Sequence, residues 1–290
     1  MTNWISDTNI LIVGLGLMGG SYAKALSRLG FSVRAIDRDA ESIRYAVGEG
    51  LISEGSVHAD PGLIESADVI IFALYPGILP GWIEENQRYF RPGAVLTDVT
   101  GVKSCIVYKI QELLREDVEF IAAHPMAGRE RSGVENADDR MFYGANYIVT
   151  PTEKNTEEAI LWCENLGRLL GCRRISRLSP EEHDRMIGFV SQLTHCVAVA
   201  MMTSCDSEKL ADYTGDSFRD LTRIARINDT MWSELFLMNK TALLPELDAF
   251  IEEMKTLRDM VDRDDRDGLR EKMKLSSRRR AVFDLDREKR

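Results

Sequence analysis

The sequence lacks the features that would mark a secreted, membrane-bound or metal-clustered protein. Its five cysteines (105, 163, 172, 196 and 205) make an odd count with no C-x-x-C spacing. This argues against a disulfide framework or zinc ligand set and for scattered reduced thiols in a cytoplasm, so no metal is expected. No apolar run reaches transmembrane length; Cys-Val-Ala-Val-Ala-Met-Met at 196–202 is far too short, and no membrane partner is expected. The N-terminal residues 1–7 carry neither a basic region nor a secretory core. Positive charge is in deficit, with 37 Lys and Arg against 47 Asp and Glu and a formal net charge of −10. That argues against nonspecific nucleic-acid binding and for a soluble protein, and an anionic substrate must then be met by local cations. No internal repeat or low-complexity segment is evident.

What is present is organised around residues 9–37. Ile10–Val13 is a short uncharged apolar run, suited to a strand buried on both faces. Gly14, Gly16 and Gly19 follow at G-x-G-x-x-G spacing. A helical segment then places Tyr22, Ala25, Leu26 and Leu29 on one face and stops at Gly30. A second strand, Phe31–Ile36, ends in Asp37. This order is the dinucleotide-binding fingerprint. Gly14 allows the tight turn, Gly16 lets backbone approach a pyrophosphate, and Gly19 lets helix and strand pack closely. The helix N-terminus, including Leu17 and Met18, offers free N–H groups to the phosphates. Asp37 is placed to accept from the ribose hydroxyls. That favours NAD over NADP, because a 2′-phosphate would meet a carboxylate; the adjacent Arg38 works against this preference.

Strand and helix keep alternating: strands at 68–74, 94–99, 119–123 and 146–150, and helices at 40–49, 79–90, 102–114 and 156–170. The expected architecture is an α/β doubly wound parallel sheet of Rossmann type. Functional groups should gather where strands end, as Asp37, Tyr75, Asp98 and His124 do. The pattern changes at Ser179-Pro180, a plausible N-cap and first helical residue with Glu181 and Glu182 in the first turn. Beyond it no strand is expected. Helical spacing recurs through Met186–Met201 and over 242–260, and the end, 262–290, is dense in charge and includes Arg278-Arg279-Arg280. The expected domains are residues 1–178, binding NAD, and 179–290, helical.

Three segments offer chemistry. His124, at a strand end near where a nicotinamide should lie, is either a general base for a substrate hydroxyl or a loop histidine bonded to its turn. His195 follows Ser191 and Gln192 on one helix face, a polar cluster suited either to a substrate pocket or to a satisfied core. Arg219, Arg223 and Arg226 offer one clamp for a carboxylate, or surface pairs with Asp.

Together these residues resemble the prephenate/arogenate dehydrogenase family of tyrosine biosynthesis. The resemblance runs through Gly14–Ser21, Asp98–Ser104, His124–Gly128 with Glu130 and Ser132-Gly133, Ser191–His195, and Phe218–Ala225, in that order. It implies a Rossmann domain, an all-α C-terminal domain that forms a homodimer, and NAD-dependent oxidative decarboxylation of prephenate to 4-hydroxyphenylpyruvate. By the resemblance His124 is catalytic, His195 and Arg223 bind substrate (Arg223 a carboxylate), Glu130 sits at the pocket mouth, Trp232 lies near the site, and Gln192 joins the substrate set. Many members carry Gly-Ser before the Val-Lys where this chain has Thr100-Gly101, so Thr100 or Ser104 is expected to replace the missing serine. Leu193-Thr194-His195 replaces the family's Leu-Pro-His, which predicts a less kinked helix. A C-terminal regulatory domain is not expected. Prephenate and arogenate remain alternatives, as do a β-hydroxyacid dehydrogenase using Lys240 and a NAD-binding sensor without turnover.

Overall fold

The computed structural model describes residues 7–207 and 209–283. Residues 1–6, read above for a leader, and 284–290 of the charged end lie outside the described residues. The first part of the chain alternates as expected: β1 (Asn9–Val13), α1 (Leu17–Arg28), β2 (Ser32–Ile36), α2 (Ala40–Gly48), β3 (Glu54–Ser56), α3 (Pro61–Glu65), β4 (Val69–Phe72), α4 (Leu79–Asn86), β5 (Val95–Asp98), α5 (Ser104–Leu113) and β6 (Glu119–Phe120). These six strands form a parallel sheet in the order β3-β2-β1-β4-β5-β6. Side chains alternate along β1 between two cores. Ile10 and Ile12 pack with Tyr22, Leu26 and Trp162, whereas Leu11 and Val13 pack with Ile83, Ile106 and Ile110. Burial on both faces favours apolar side chains, which is why the run after Asn9 is continuous. Strand order reverses between β1 and β4, so a crevice opens at their C-terminal ends.

The strand expected at 119–123 is divided. β6 stays in the main sheet, and β7 (Ala122–Pro125) leaves it for a second sheet with β8 (Asn146–Thr150) and, after α6 (Glu157–Leu169), β9 (Arg174–Arg177). β7 runs antiparallel to β8, with His124 opposite Ile148, and β8 runs parallel to β9. The 146–150 strand therefore does not extend the parallel sheet, and His124 lies within a strand. Side chains replace the main-chain ladder where β7 diverges. Asp98 accepts from the Ala123 amide at 3.1 Å, and Lys103 Nζ donates to the Ala123 carbonyl at 2.6 Å.

Beyond residue 179 the described residues are helical. Ser179 and Glu182 form a reciprocal capping box at α7 (Pro180–Ile187). A π-helical stretch, Gly188–Leu193, leads into α8 (Thr194–Thr203). The helix expected to be less kinked without proline is thus interrupted by a wide turn that ends two residues before His195. Pro180–Thr203 is also long and apolar enough, by length and composition, to cross a membrane, which the reading of 196–202 alone did not anticipate. It carries the buried polar groups His183, Asp184 and Gln192, each hydrogen-bonded within the protein. The chain continues through α9 (Leu210–Tyr213), α10 (Asp216–Thr222), α11 (Asp229–Met238), capped by Asn228, then α12 (Lys240–Asp262) and α13 (Arg266–Ala281).

Two compact units result, the first ending at Lys240 and the second beginning at Thr241. The boundary expected at 178/179 falls inside the first unit, because Asp184 of α7 accepts from the Lys103 and Ser104 amides, each at 2.8 Å. The second unit contains most of α12, with Pro245 inside it, and α13. Lys272 and Glu253 pair across them at 2.5 Å, and Arg278, Arg279 and Arg280 are exposed.

Candidate active site

The loop after β1 is shaped for a dinucleotide. Gly14 has φ +97°, and a Cβ there would sit 2.5 Å from the Ala73 carbonyl oxygen. A Cβ on Gly19 would come within 1.8 Å of the Gly14 carbonyl. Gly16 is exposed with nothing within 4 Å of where its Cβ would be, an open approach that a side chain would fill. No side chain caps α1 and no acidic residue occupies its first turn, so the amides at Leu17 and Met18 and the positive end of the helix are left for an anion. Asp37 stands beside this loop, its carboxylate accepting from the Leu15 amide at 2.5 Å and the Asp39 amide at 2.8 Å. Arg38 is exposed. Tyr75, also partly exposed, accepts from Asn228 at 3.2 Å, and the Gly77 amide donates to Glu234. The loop after β4 is therefore tied to α11. These features fit a bound dinucleotide.

Three expected assignments change. Asp98 is fully buried, and its oxygens are occupied by the Ala123 amide, the Thr100 amide and hydroxyl, and Lys103 at 2.6 Å. It holds β7 in place and is not open to a cofactor. The Thr100 hydroxyl is engaged with Asp98, the Val102 carbonyl and Lys103, so it does not replace the missing serine. The residue adjoining the histidine is Gly101, where a Cβ would lie 3.8 Å from His124 Cε1 and 3.6 Å from Leu235. Gln192 is buried, donating to the Leu235 carbonyl at 3.0 Å and accepting from Asn239 at 2.8 Å; it ties the π-helical stretch to α11. Ser104 gives its amide to Asp184.

His124 heads a chain of hydrogen bonds. Its Nδ1 lies 2.9 Å from His183 Nε2, and His183 Nδ1 lies 2.8 Å from Asp184 Oδ1. Burial holds the His124 imidazole well below the ordinary histidine range, and the neighbouring His183 and Lys103 push the same way. Burial also lowers His183, against the opposing pull of Asp184. Both rings are neutral at neutral pH, as a general base must be.

A second cluster joins His195, Trp232, Glu130 and Arg223. The His195 ring stacks on Trp232 with centroids 3.6 Å apart and planes 29° apart. Its Nδ1 donates to the Ser191 carbonyl at 2.8 Å, which leaves Nε2 as the acceptor of a neutral ring. Burial lowers its pKa, with Arg223 adding to the shift and Glu130 opposing it. Arg223 pairs with Glu130, whereas Arg219 is occupied by the Thr214 carbonyl at 2.9 Å. Arg226 and Lys240 are exposed. The sequence reading missed His183, Asp184, the role of Lys103, and Asn239, which donates to the Asp184 carbonyl at 2.9 Å. The available signal was the His-Asp pair in an amphipathic helix, an apolar-side position that usually marks a packed core.

Comparisons with known proteins identify the family. The profile "Prephenate dehydrogenase, nucleotide-binding domain" matches residues 22–175, and "Prephenate dehydrogenase, dimerization domain" matches 179–275. A prephenate dehydrogenase of Bacillus subtilis (strain 168) is 32% identical over 274 residues, covering 92% of this chain and 73% of its own. The crystal structure of prephenate dehydrogenase from A. aeolicus in complex with hydroxyphenyl propionate and NAD+ superposes with a TM-score of 0.88 at 31% identity, over 97% of this chain and 100% of that one. Synechocystis arogenate dehydrogenase superposes with a TM-score of 0.80 at 26% identity, over 95% and 100%. Since both halves match one family in order and the similarity to its members spans nearly the whole chain, this protein belongs to the prephenate dehydrogenase family.

Proposed function

We propose that the chain is a NAD-dependent prephenate dehydrogenase, converting prephenate to 4-hydroxyphenylpyruvate with loss of CO2. The observation that carries the reading is a neutral, half-buried His124 with one ring nitrogen engaged and the other left for a substrate. His124 accepts the ring hydroxyl proton. Bound NAD supplies the hydride acceptor, and departure of the ring carboxylate then aromatises the product. Gly14, Gly16, Leu17, Met18 and Gly19 hold the pyrophosphate, and Asp37 holds the ribose. Arg223 takes a substrate carboxylate, which must replace Glu130 as its partner. His195 and Trp232 present a flat, partly buried wall to the substrate.

Residues 179–290 form the functional substrate and dimer half of this reading, with 1–178 as the nucleotide half. The dimerization-domain match supports a homodimer, as do Met186, Phe189, Val190 and Met202, large apolar residues left exposed on α7–α8. Its setting is the cytoplasm. The test follows absorbance of the reduced nicotinamide with prephenate or arogenate and NAD or NADP. Turnover is expected with prephenate and NAD; turnover only with arogenate overturns the substrate assignment, and none with either overturns the reading. His124→Asn keeps a polar group without the base, so kcat should fall by on the order of 10²–10⁴-fold.

A further inference from the structure

The bonds behind His124 permit one arrangement of protons. Asp184 sits at the N-terminus of α5 and receives three donors, the amides of Lys103 and Ser104 and the His183 ring. Burial alone would raise its pKa, but the bonds from His183 and Ser104 outweigh it and hold the carboxyl below its ordinary value. An ionised carboxylate only accepts, so His183 must carry its proton on Nδ1. A neutral His183 then presents a bare Nε2, and across 2.9 Å His124 must donate from Nδ1. That leaves the lone pair of His124 on Nε2.

We propose that Asp184 and His183 are positioning residues that fix His124 as its Nδ1–H tautomer, so that Nε2 is always the free base. The α5 N-terminus anchors the chain. The carboxylate is held by two backbone amides and by the positive end of a ten-residue helix, so its direction does not depend on a mobile side chain. Asn239, bonded to the Asp184 carbonyl and to Gln192, links the same helix turn to α11, which carries Trp232. The polarity of the base and the wall of the substrate cluster are thereby set from one buried network. This role rests on the proposed use of His124 as base.

The wild-type protein tests it directly. ¹⁵N NMR of the histidine rings distinguishes protonated from bare nitrogens, and His124 should show Nδ1–H and bare Nε2 at neutral pH. The opposite tautomer overturns the proposal even if prephenate is turned over; failure to oxidise prephenate with the expected tautomer overturns only the functional reading. Asp184→Asn can turn an NH2 toward His183 and reverse the polarity. It should move the His124 proton to Nε2 and lower kcat by on the order of 10²–10⁴-fold, with NAD affinity unchanged. His183→Gln can donate to Asp184 and accept from His124, so it should keep the wild-type tautomer and most of the turnover, whereas His183→Leu should not. An Asp184→Asn protein that keeps both tautomer and kcat, or a His183→Gln protein no better than His183→Leu, overturns the assignment.

Discussion

Lys103→Met gives the sharpest test of how the base is held. Lys103 has no exposed surface, and its ammonium donates to Asp98 and to the Ala123 carbonyl at 2.6 Å and to Thr100 at 3.2 Å. Methionine fills a similar volume without the charge, so packing is nearly conserved and the loss is electrostatic. Removing one partner of a buried ion pair costs about 3–5 kcal/mol. Asp98 would keep the Ala123 and Thr100 amides and the Thr100 hydroxyl, which favours the lower end. The Ala123 carbonyl would lose its Lys103 donor, and a stranded buried acceptor costs about 1–3 kcal/mol. The two together place the loss at about 4–6 kcal/mol. Urea unfolding followed by circular dichroism measures it, and kcat should fall as well, since Ala123 adjoins the base. Asp98→Asn added to Lys103→Met removes the stranded charge and should recover at least about 1 kcal/mol. A single-variant loss below about 1 kcal/mol, or a double variant no more stable than the single, would refute the clamp.

Other outcomes follow from the same geometry. Asp37→Ser should weaken NAD binding and narrow the gap to NADP; unchanged kinetics with both cofactors remove the assignment. Arg223→Ala should raise KM for prephenate by the equivalent of about 2–4 kcal/mol with the NAD constant nearly untouched. The same change at Arg219 or Arg226 should do little, and the reverse pattern means that another arginine is the clamp. The acid limb of kcat/KM should lie below the unperturbed histidine value of about 6.5, because burial lowers His124. Both His124 and His183 titrate lower in the folded protein than in the unfolded chain. The unfolded chain therefore binds more protons as pH falls through about 6.5, and stability should drop by about 1.4 kcal/mol per pH unit for each ring until its folded value is reached. A melting temperature that does not fall between pH 7 and pH 5 contradicts two neutral buried rings.

The sequence by itself determined the first strands and helices of the nucleotide half and the motif order. Continuous apolar runs, glycine spacing and helix caps are local signals, and β1, α1, β2 and the Ser179 capping box formed where they pointed. Local signals also carried the helical character after residue 179, since periodicity does not depend on what packs against it. Tertiary structure decided the rest. A run such as 119–125 gives no sign of leaving one sheet for another, because the switch depends on Asp98 and Lys103 reaching Ala123. The same buried clamp made Asp98 and Thr100 structural, although a strand-end acid reads equally well as a cofactor ligand. Gln192 shared a helix face with His195 in sequence, yet a π-helical turn and the partners on α11 drew it into the core. His183 and Asp184 became legible only when α7 packed against the start of α5. A hydrogen-bond direction between residues 59 positions apart is a property of that packing, and no spacing along the chain encodes it.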